Sequence, residues 1–177
     1  DNWEIGGDYE LNLGNGQRFK LLAIANQANR DSARERFEMF DDNTEEKNLY
    51  LGIATVTEEQ IVRASYTLNV FEEQSLEFGL ERAQTTLDSS LSLGGLVEGG
   101  TPSAAVGGLV PQTVSNANSA VEEIRYEPFA IHNWTLSPTL SLESTLLYES
   151  SEITQSGDMN NQRDFSFVKP KVDLRYN

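Results

Sequence analysis

The sequence predicts an all-β protein, in which about seven antiparallel, up-and-down strands form a segment of a transmembrane β-barrel. Three observations support this prediction. Several stretches alternate apolar and polar residues with the period of two that strands impose. The predicted strands reach about ten residues or more, whereas strands of soluble domains average about five or six. The connections alternate between short turns and long polar segments, an asymmetry typical of outer-membrane barrels.

The first two predicted strands form a hairpin. From Trp3 to Leu13, apolar residues alternate with residues such as Glu4 and Asp8, so the strand has one apolar and one polar face. Gly14-Asn15-Gly16 supplies the positive φ angles that a tight turn requires. The second strand, about 18–27, carries apolar residues on both faces, which leaves its orientation open.

The third predicted strand, 61–70, alternates strictly, and a short turn near 71–75 leads into the fourth, 75–93. In the fourth strand the apolar positions change parity between Leu80 and Ala83. Such a change predicts either a bulge or the exit of the strand from a region that requires an apolar face.

Three further strands are predicted at 121–134, 140–153 and, at the end of the chain, 168–176. A third short turn is predicted at 135–139, between the first two of these strands. The last strand contains Pro170, which predicts a bulge or weak pairing because proline donates no backbone hydrogen bond. We predict long external loops at about 28–57, 94–118 and 154–163, although part of the first loop could instead extend the strands or form a short helix.

Composition narrows the classes of function. The formal net charge of −15 argues against a nucleic-acid partner, which requires basic residues to displace counterions. The chain has no cysteine, so it offers no disulfide or thiolate site. Its apolar runs fall far short of the roughly 20 residues that a membrane-spanning helix needs. A membrane protein built from helices is therefore excluded.

The sequence predicts no enzyme, because no catalytic constellation, metal site or cofactor motif is present. His132, the single histidine, is expected to play a structural role beside Trp134. The acidic group at 41–46 lacks the spacing of a calcium loop, which favours a solvated external loop. The candidate substrate-binding residues lie in the predicted loops: Arg30, Arg34, Arg36, Phe37, Phe40 and Tyr50. The charged row of the last strand is predicted to face a barrel lumen: Lys169, Lys171, Asp173 and Arg175.

The amino-acid sequences of four segments resemble consecutive hairpins in the barrel of a TonB-dependent outer-membrane receptor. The segments are "WEIGGDYELNLGNGQRFKLLAI", "SLEFGLERAQTTLDSSLSL", "IHNWTLSPTLSLESTLLYESSEI" and "RDFSFVKPKVDLRYN". The resemblance implies an internal piece of a 22-stranded barrel, with residues 1–177 forming a partial β-barrel domain and the plug domain and remaining strands lying outside them.

The same resemblance implies a location in the bacterial outer membrane and active uptake of a scarce nutrient, such as an iron chelate, cobalamin or an oligosaccharide. The implied partners are the outer-membrane lipid and the TonB energy-coupling complex, which is reached through the plug. Two alternatives stay open at this point. One is a secreted β-sandwich adhesin or carbohydrate-binding module, whose apolar face would be an internal core. The other is a passive porin.

Overall fold

A computed structural model describes residues 2–176 of the chain, and these residues form an almost entirely β structure. A single turn of 3-10 helix, Ala104–Val106, interrupts the strands. The eight strands are β1 (Trp3–Gly14), β2 (Gln17–Met39), β3 (Glu45–Phe71), β4 (Gln74–Gly95), β5 (Val110–Gln112), β6 (Asn118–Ser137), β7 (Leu140–Gly157) and β8 (Asn161–Tyr176).

The strands form one antiparallel, up-and-down sheet in the order β1-β2-β3-β4-β6-β7-β8. The short strand β5 pairs with β4 beyond the end of the β4–β6 ladder. The all-β, up-and-down prediction is therefore confirmed, and β5 is the strand that the sequence did not predict. Within the described residues β1 and β8 are the two edges, so the sheet is not closed into a barrel.

The three predicted short turns are confirmed, and all lie at one end of the sheet. Each has two residues, at 15–16, 72–73 and 138–139. Asn15 and Gly16 have φ angles of 53° and 74°, as a two-residue hairpin turn with both central residues at positive φ requires.

The predicted loop at 28–57 is wrong in extent, since nearly all of it is strand. β2 and β3 pair without interruption from Arg18↔Thr67 to Met39↔Glu45, apart from one bulge next to Arg36. The loop is only the hairpin tip at 40–44, and the strand extension considered as an alternative is what forms. The third loop likewise shrinks from 154–163 to 158–160, whereas 96–117 remains a long connection that contains the 3-10 turn and β5.

No bulge forms at either position where one was predicted as an alternative. β4 keeps one register with β3 and β6 across the parity change between Leu80 and Ala83. Pro170 lies opposite Leu146 with no register shift. Because proline has no backbone N–H, Pro170 leaves one position of β8 without a hydrogen-bond donor.

The sheet has very little core. Its accessible surface is 12198 Å², against roughly 8,600 Å² for a folded monomer of this mass. The described residues form one sheet, not the two packed sheets that the β-sandwich alternative requires. The described residues therefore leave both faces of this single layer largely uncovered.

Candidate functional site

One face of the sheet carries an apolar band in the half nearest the short turns. Residues paired across neighbouring strands share a face, so the register defines rows. One such row is Leu11-Phe19-Tyr66-Phe78-Ala130-Leu146-Pro170. The apolar band comprises the side chains of this face within 3–13, 19–25, 62–70, 76–80, 124–134, 140–148 and 168–176.

The large side chains of the apolar band are exposed. Tyr9 is 57% exposed, Leu80 47% and Leu174 66%, and most other large members are similar. Soluble monomers rarely expose contiguous apolar patches larger than about 300–600 Å². The apolar band crosses all seven long strands, so it is far larger than such a patch.

The border of the apolar band away from the short turns runs obliquely across the strands. It lies at Trp3 on β1, Val62 on β3, Leu80 on β4 and Val168 on β8. On β6 the apolar band extends four residues further from the short turns than on β4, to Ile124. The cross-strand row that contains Trp3 on β1 reaches Gln162 on β8. The border on β8 is at Val168, so it lies six residues closer to the short turns than this row. At ~3.3 Å per residue and ~4.8 Å per strand, this is a slant of about 35°. This angle is similar to the tilt of strands in membrane barrels, which is about 35–45°.

Both tryptophans of the chain lie on the band face. Trp3 lies at the far border, where its indole N–H donates to Gln27 Oε1 at 2.9 Å. Trp134 lies near the short turns, with its ring 6.4 Å from that of His132. The predicted placement of His132 beside Trp134 is thus confirmed, and its Nε2 is 3.0 Å from Gln74 Oε1.

The opposite side of the same half, the charged face, is crossed by ion pairs. Glu81 lies between two arginines, 3.5 Å from Arg63 and 3.8 Å from Arg125. Arg125 also lies 3.4 Å from Glu127, and Lys20 lies 3.1 Å from Glu10. No comparable pairs occur among the described residues of the apolar band, so the two faces differ sharply in polarity.

The predicted charged row of β8 lies on the charged face. Lys169 contacts Glu149, and Lys171 Nζ is 2.5 Å from Asp173. Arg175 is on the same face, opposite Ser141. That this row lines a lumen stays a prediction.

A stacked arginine marks the centre of the charged face. The guanidinium of Arg63 lies 4.2 Å from the ring centroid of Phe129, which is only 7% exposed. Gly79 lies beneath the ring, and a Cβ there would stand 2.6 Å from Phe129 Cζ. The absence of a side chain at Gly79 therefore lets the ring pack on the backbone.

Beyond the apolar band the two faces exchange character. We call this region the upper block. It comprises 28–39 of β2, the hairpin tip at 40–44, 45–57 of β3, 86–95 of β4 and 118–122 of β6. On the charged-face side, Leu51 pairs with Leu93 and Ile53 with Leu91. The band-face side of the upper block is built mainly of small and polar residues: Asp31, Gly52, Ala54, Asp88, Ser90 and Ser92. This exchange explains the parity change in β4 without a bulge.

The six candidate substrate residues do not form one group. Their faces follow from the β2–β3 register. Arg30, Arg34 and Arg36 lie on the charged-face side of the upper block, next to the leucines. Phe37 and Tyr50 lie on the band-face side. Phe40 is in the hairpin tip, where its carbonyl accepts from the Asn43 amide at 3.0 Å.

The connection between β4 and β6 packs on the band-face side of the upper block. Val106 and Leu109 are buried over Gly94, where a Cβ would stand 2.9 Å from Val106 Cβ. Lys47 Nζ secures this packing, since it donates to Glu35 Oε1 at 2.6 Å and to the Gly107 carbonyl at 3.0 Å. Sequence reasoning missed these residues because a packed loop has no periodicity, and glycine at 94 was its only visible signal.

The hairpin tip at 40–44 has a local electrostatic feature. The carboxylate of Asp42 accepts from Thr44 Oγ1 at 2.6 Å and from the Thr44 amide at 3.0 Å. These hydrogen bonds hold the pKa of Asp42 below its usual value. The acidic group predicted at 41–46 therefore lies at and beside this turn.

Comparison with known protein families found no matching family, and comparison with curated proteins found no match either. Within residues 2–176, no helix is long and apolar enough to cross a membrane.

Proposed function

We propose that this chain is part of the wall of a TonB-dependent receptor in the bacterial outer membrane. The receptor takes up a scarce nutrient, such as an iron chelate, cobalamin or an oligosaccharide. The TonB energy-coupling complex drives this uptake through a plug domain. The observation that carries the proposal is the exposed apolar band, which lies on one face only and slants like a membrane slab on tilted strands.

Lipid is the partner that suits the apolar band. Transfer of apolar surface out of water gains about 25 cal/mol per Å², and this gain is available over the whole band. Ion pairs are confined to the other face of this half, which would then face the wet interior. Because unpaired strand edges are not tolerated in lipid, the edges β1 and β8 would pair with further strands of the assembled barrel.

The length of the upper block supports the proposal that the receptor binds its substrate outside the membrane. β3 extends from Val62, at the border of the apolar band, to Glu45, at its start. At ~3.3 Å per residue this is on the order of 55 Å of strand beyond the band. Such a tall hairpin presents a large surface on the external side, whereas the opposite end of the sheet has two-residue turns only.

Fluorescence quenching by lipid tests the membrane proposal. Both tryptophans are placed at borders of the apolar band, one at each side, so lipids brominated near the headgroup should quench Trp3 and Trp134 more than lipids brominated near the chain end. Trp3→Phe and Trp134→Phe assign the signal to each position. Quenching by aqueous iodide alone, with none from either lipid, would show that the apolar band does not face lipid.

A transport measurement tests the receptor proposal. Uptake by cells that express the protein should stop when the inner membrane is de-energised, because the TonB complex draws on that energy. Uptake that continues unchanged under de-energised conditions would indicate a passive pore and contradict active transport.

A further inference from the structure

The charged-face side of the upper block holds an apolar surface that nothing in residues 2–176 covers. Its centre is formed by two cross-strand pairs, Leu51 with Leu93 and Ile53 with Leu91. Leu49 continues the patch toward the hairpin tip. Ile53 is 36% exposed, and the four leucines are partly exposed. We call these five residues the aliphatic patch.

A column of arginines borders the aliphatic patch on β2. Arg34 is the cross-strand neighbour of Leu51 and Arg36 that of Leu49, while Arg30 lies opposite Thr55. All three side chains are exposed. Within residues 2–176, no carboxylate forms an ion pair with any of them, and Arg36 only donates to Asn48 Oδ1 at 2.8 Å.

Arg30, Arg34 and Arg36 are grouped on one face of β2 within seven residues, in a chain that has 28 acidic against 13 basic residues. Carboxylates do lie nearby on the same hairpin. Glu35 is on the other face, where it pairs with Lys47. Glu38 follows Arg36 on the patch face, toward the hairpin tip, and its carboxylate accepts from Asn48 Nδ2 at 3.2 Å rather than from an arginine. A guanidinium is charged at all physiological pH values and binds carboxylate, sulfonate or phosphate groups in a bidentate manner. The border of the aliphatic patch is therefore complementary to anionic groups.

We propose that the aliphatic patch and its arginine column bind an amphipathic small-molecule anion, with its apolar body on the leucines and its acidic groups on the guanidinium groups. This inference rests on the proposed function, since it makes the patch a capture site of the receptor. Arg34 and Arg36 are about 7 Å apart along β2 and Arg30 lies about 13 Å from Arg34, so the ligand carries more than one acidic group.

The same chemistry argues against a neutral oligosaccharide at this position. Aliphatic side chains offer no hydrogen bonds to hydroxyl groups. The aromatic candidates Phe37 and Tyr50, whose rings could stack on a flat ligand, face the other side of the sheet. The substrate class that fits the upper block is thus an anion with an apolar body.

The test uses the protein in outer-membrane vesicles from cells that express it. The 177 residues contain no cysteine, so Ser32→Cys places one label within them, on the patch face between Arg30 and Arg34 and opposite Ile53. An environment-sensitive fluorophore on this cysteine reports binding. The probe is naphthalene-1,5-disulfonate, with inorganic sulfate as the charge-only comparison and a naphthyl glucoside as the uncharged comparison.

We expect a saturable fluorescence change with the disulfonate, at concentrations at least about tenfold lower than with either comparison compound. Arg30→Ala together with Arg34→Ala should weaken disulfonate binding about tenfold or more, because each charged hydrogen bond contributes about 1.5–3 kcal/mol. Ile53→Ser should weaken binding of the disulfonate but not that of sulfate. Arg163→Ala, which removes an exposed arginine from β8, is the matched control and should leave binding within about twofold.

No saturable change with the disulfonate would overturn the inference. Equal losses of disulfonate binding in Arg163→Ala and in the double variant would also overturn it, since the loss would then reflect the net charge of the protein and not the arginine column. Tryptophan quenching by brominated lipid in the same vesicles separates the two proposals. If brominated lipid quenches the tryptophans but the disulfonate does not bind, only the ligand site is contradicted. If brominated lipid does not quench the tryptophans, the proposed function is contradicted.

Discussion

The half of the sheet near the short turns and the upper block use the same strands in opposite ways. In the first, large apolar side chains cover the band face and ion pairs cover the charged face. In the upper block, leucines lie on the charged-face side, and small or acidic residues lie on the band face. Because β3 and β4 keep one register throughout, only the sequence changes. The comparison shows that one continuous strand geometry accommodates an apolar surface on either face.

The largest expected effect comes from a charge placed in the apolar band. Ala130→Arg puts a guanidinium near the middle of the band on β6 and should destabilise the membrane-inserted state by about 2–4 kcal/mol. Ala120→Arg is the control, since it lies on the same strand and face but in the upper block, opposite Asp88. It should cost about 0–1 kcal/mol. Urea unfolding from lipid vesicles measures both, and equal effects would contradict the distinction between the two halves.

The next effect concerns the packing of Phe129 on the charged face. Gly79→Ala forces a methyl group against the Phe129 ring and the Ala64 carbonyl oxygen, which should lower the free energy of unfolding by about 1–3 kcal/mol. Gly7→Ala is the control, because a Cβ there meets no atom within 4 Å. It should be neutral or stabilising by up to about 1 kcal/mol, as alanine restricts the unfolded chain. The same unfolding assay applies, and a harmless Gly79→Ala would contradict close packing at this point.

A smaller and local effect is expected for the loop on the upper block. Lys47→Met removes the hydrogen bonds to Glu35 and to the Gly107 carbonyl, which together contribute on the order of 1–2 kcal/mol. Amide hydrogen exchange within 103–112 should therefore accelerate about tenfold, with little change in the apolar band. Lys20→Met, which removes an ion pair to Glu10 on the charged face, should leave exchange in 103–112 unchanged. Uniform acceleration in both variants would indicate that Lys47 has no local role.

The smallest effect is the pH dependence of the hairpin tip. The pKa of Asp42 is lowered in the folded protein by its hydrogen bonds to Thr44, so the carboxylate stabilises the tip above the unfolded pKa. This stabilisation is lost as the pH falls through the lowered folded pKa. Exchange of the Thr44 amide, corrected for its intrinsic rate, should accelerate on acidification in the native protein. Asp42→Asn should abolish this dependence, and a dependence that persists in Asp42→Asn would assign it to another group.

The sequence predicted the long strands of the half that contains the apolar band, but it left the orientation of 18–27 open. Strict alternation in 3–13 and 61–70 and the Asn15-Gly16 turn determine strand, register and face by local chemistry alone. The strands of the upper block were not predicted, because β2 is polar on both faces there. Arg34, Glu35 and Arg36 occupy successive positions, so no apolar period of two remains. Its strands form because each backbone group finds a partner in the neighbouring strand, and this pairing is not visible in side-chain patterns.

The candidate site could be predicted only in part. The arginines at 30, 34 and 36 were identified by residue type, but their grouping on one face, without Phe37 or Tyr50, required the β2–β3 register. The aliphatic patch could not be found in a segment assigned to a loop, since Leu51 and Leu91 become neighbours only through the extended hairpin.

The order of strands has a consequence for whatever completes the structure. β1 ends at a short turn, and β8 ends opposite Leu140, where β7 leaves another short turn. Both edge strands therefore run in the same direction. Neighbouring strands of bacterial outer-membrane barrels are antiparallel, so in the proposed barrel the set that would join β8 back to β1 contains an odd number of strands. Its first and last members both run away from the short turns.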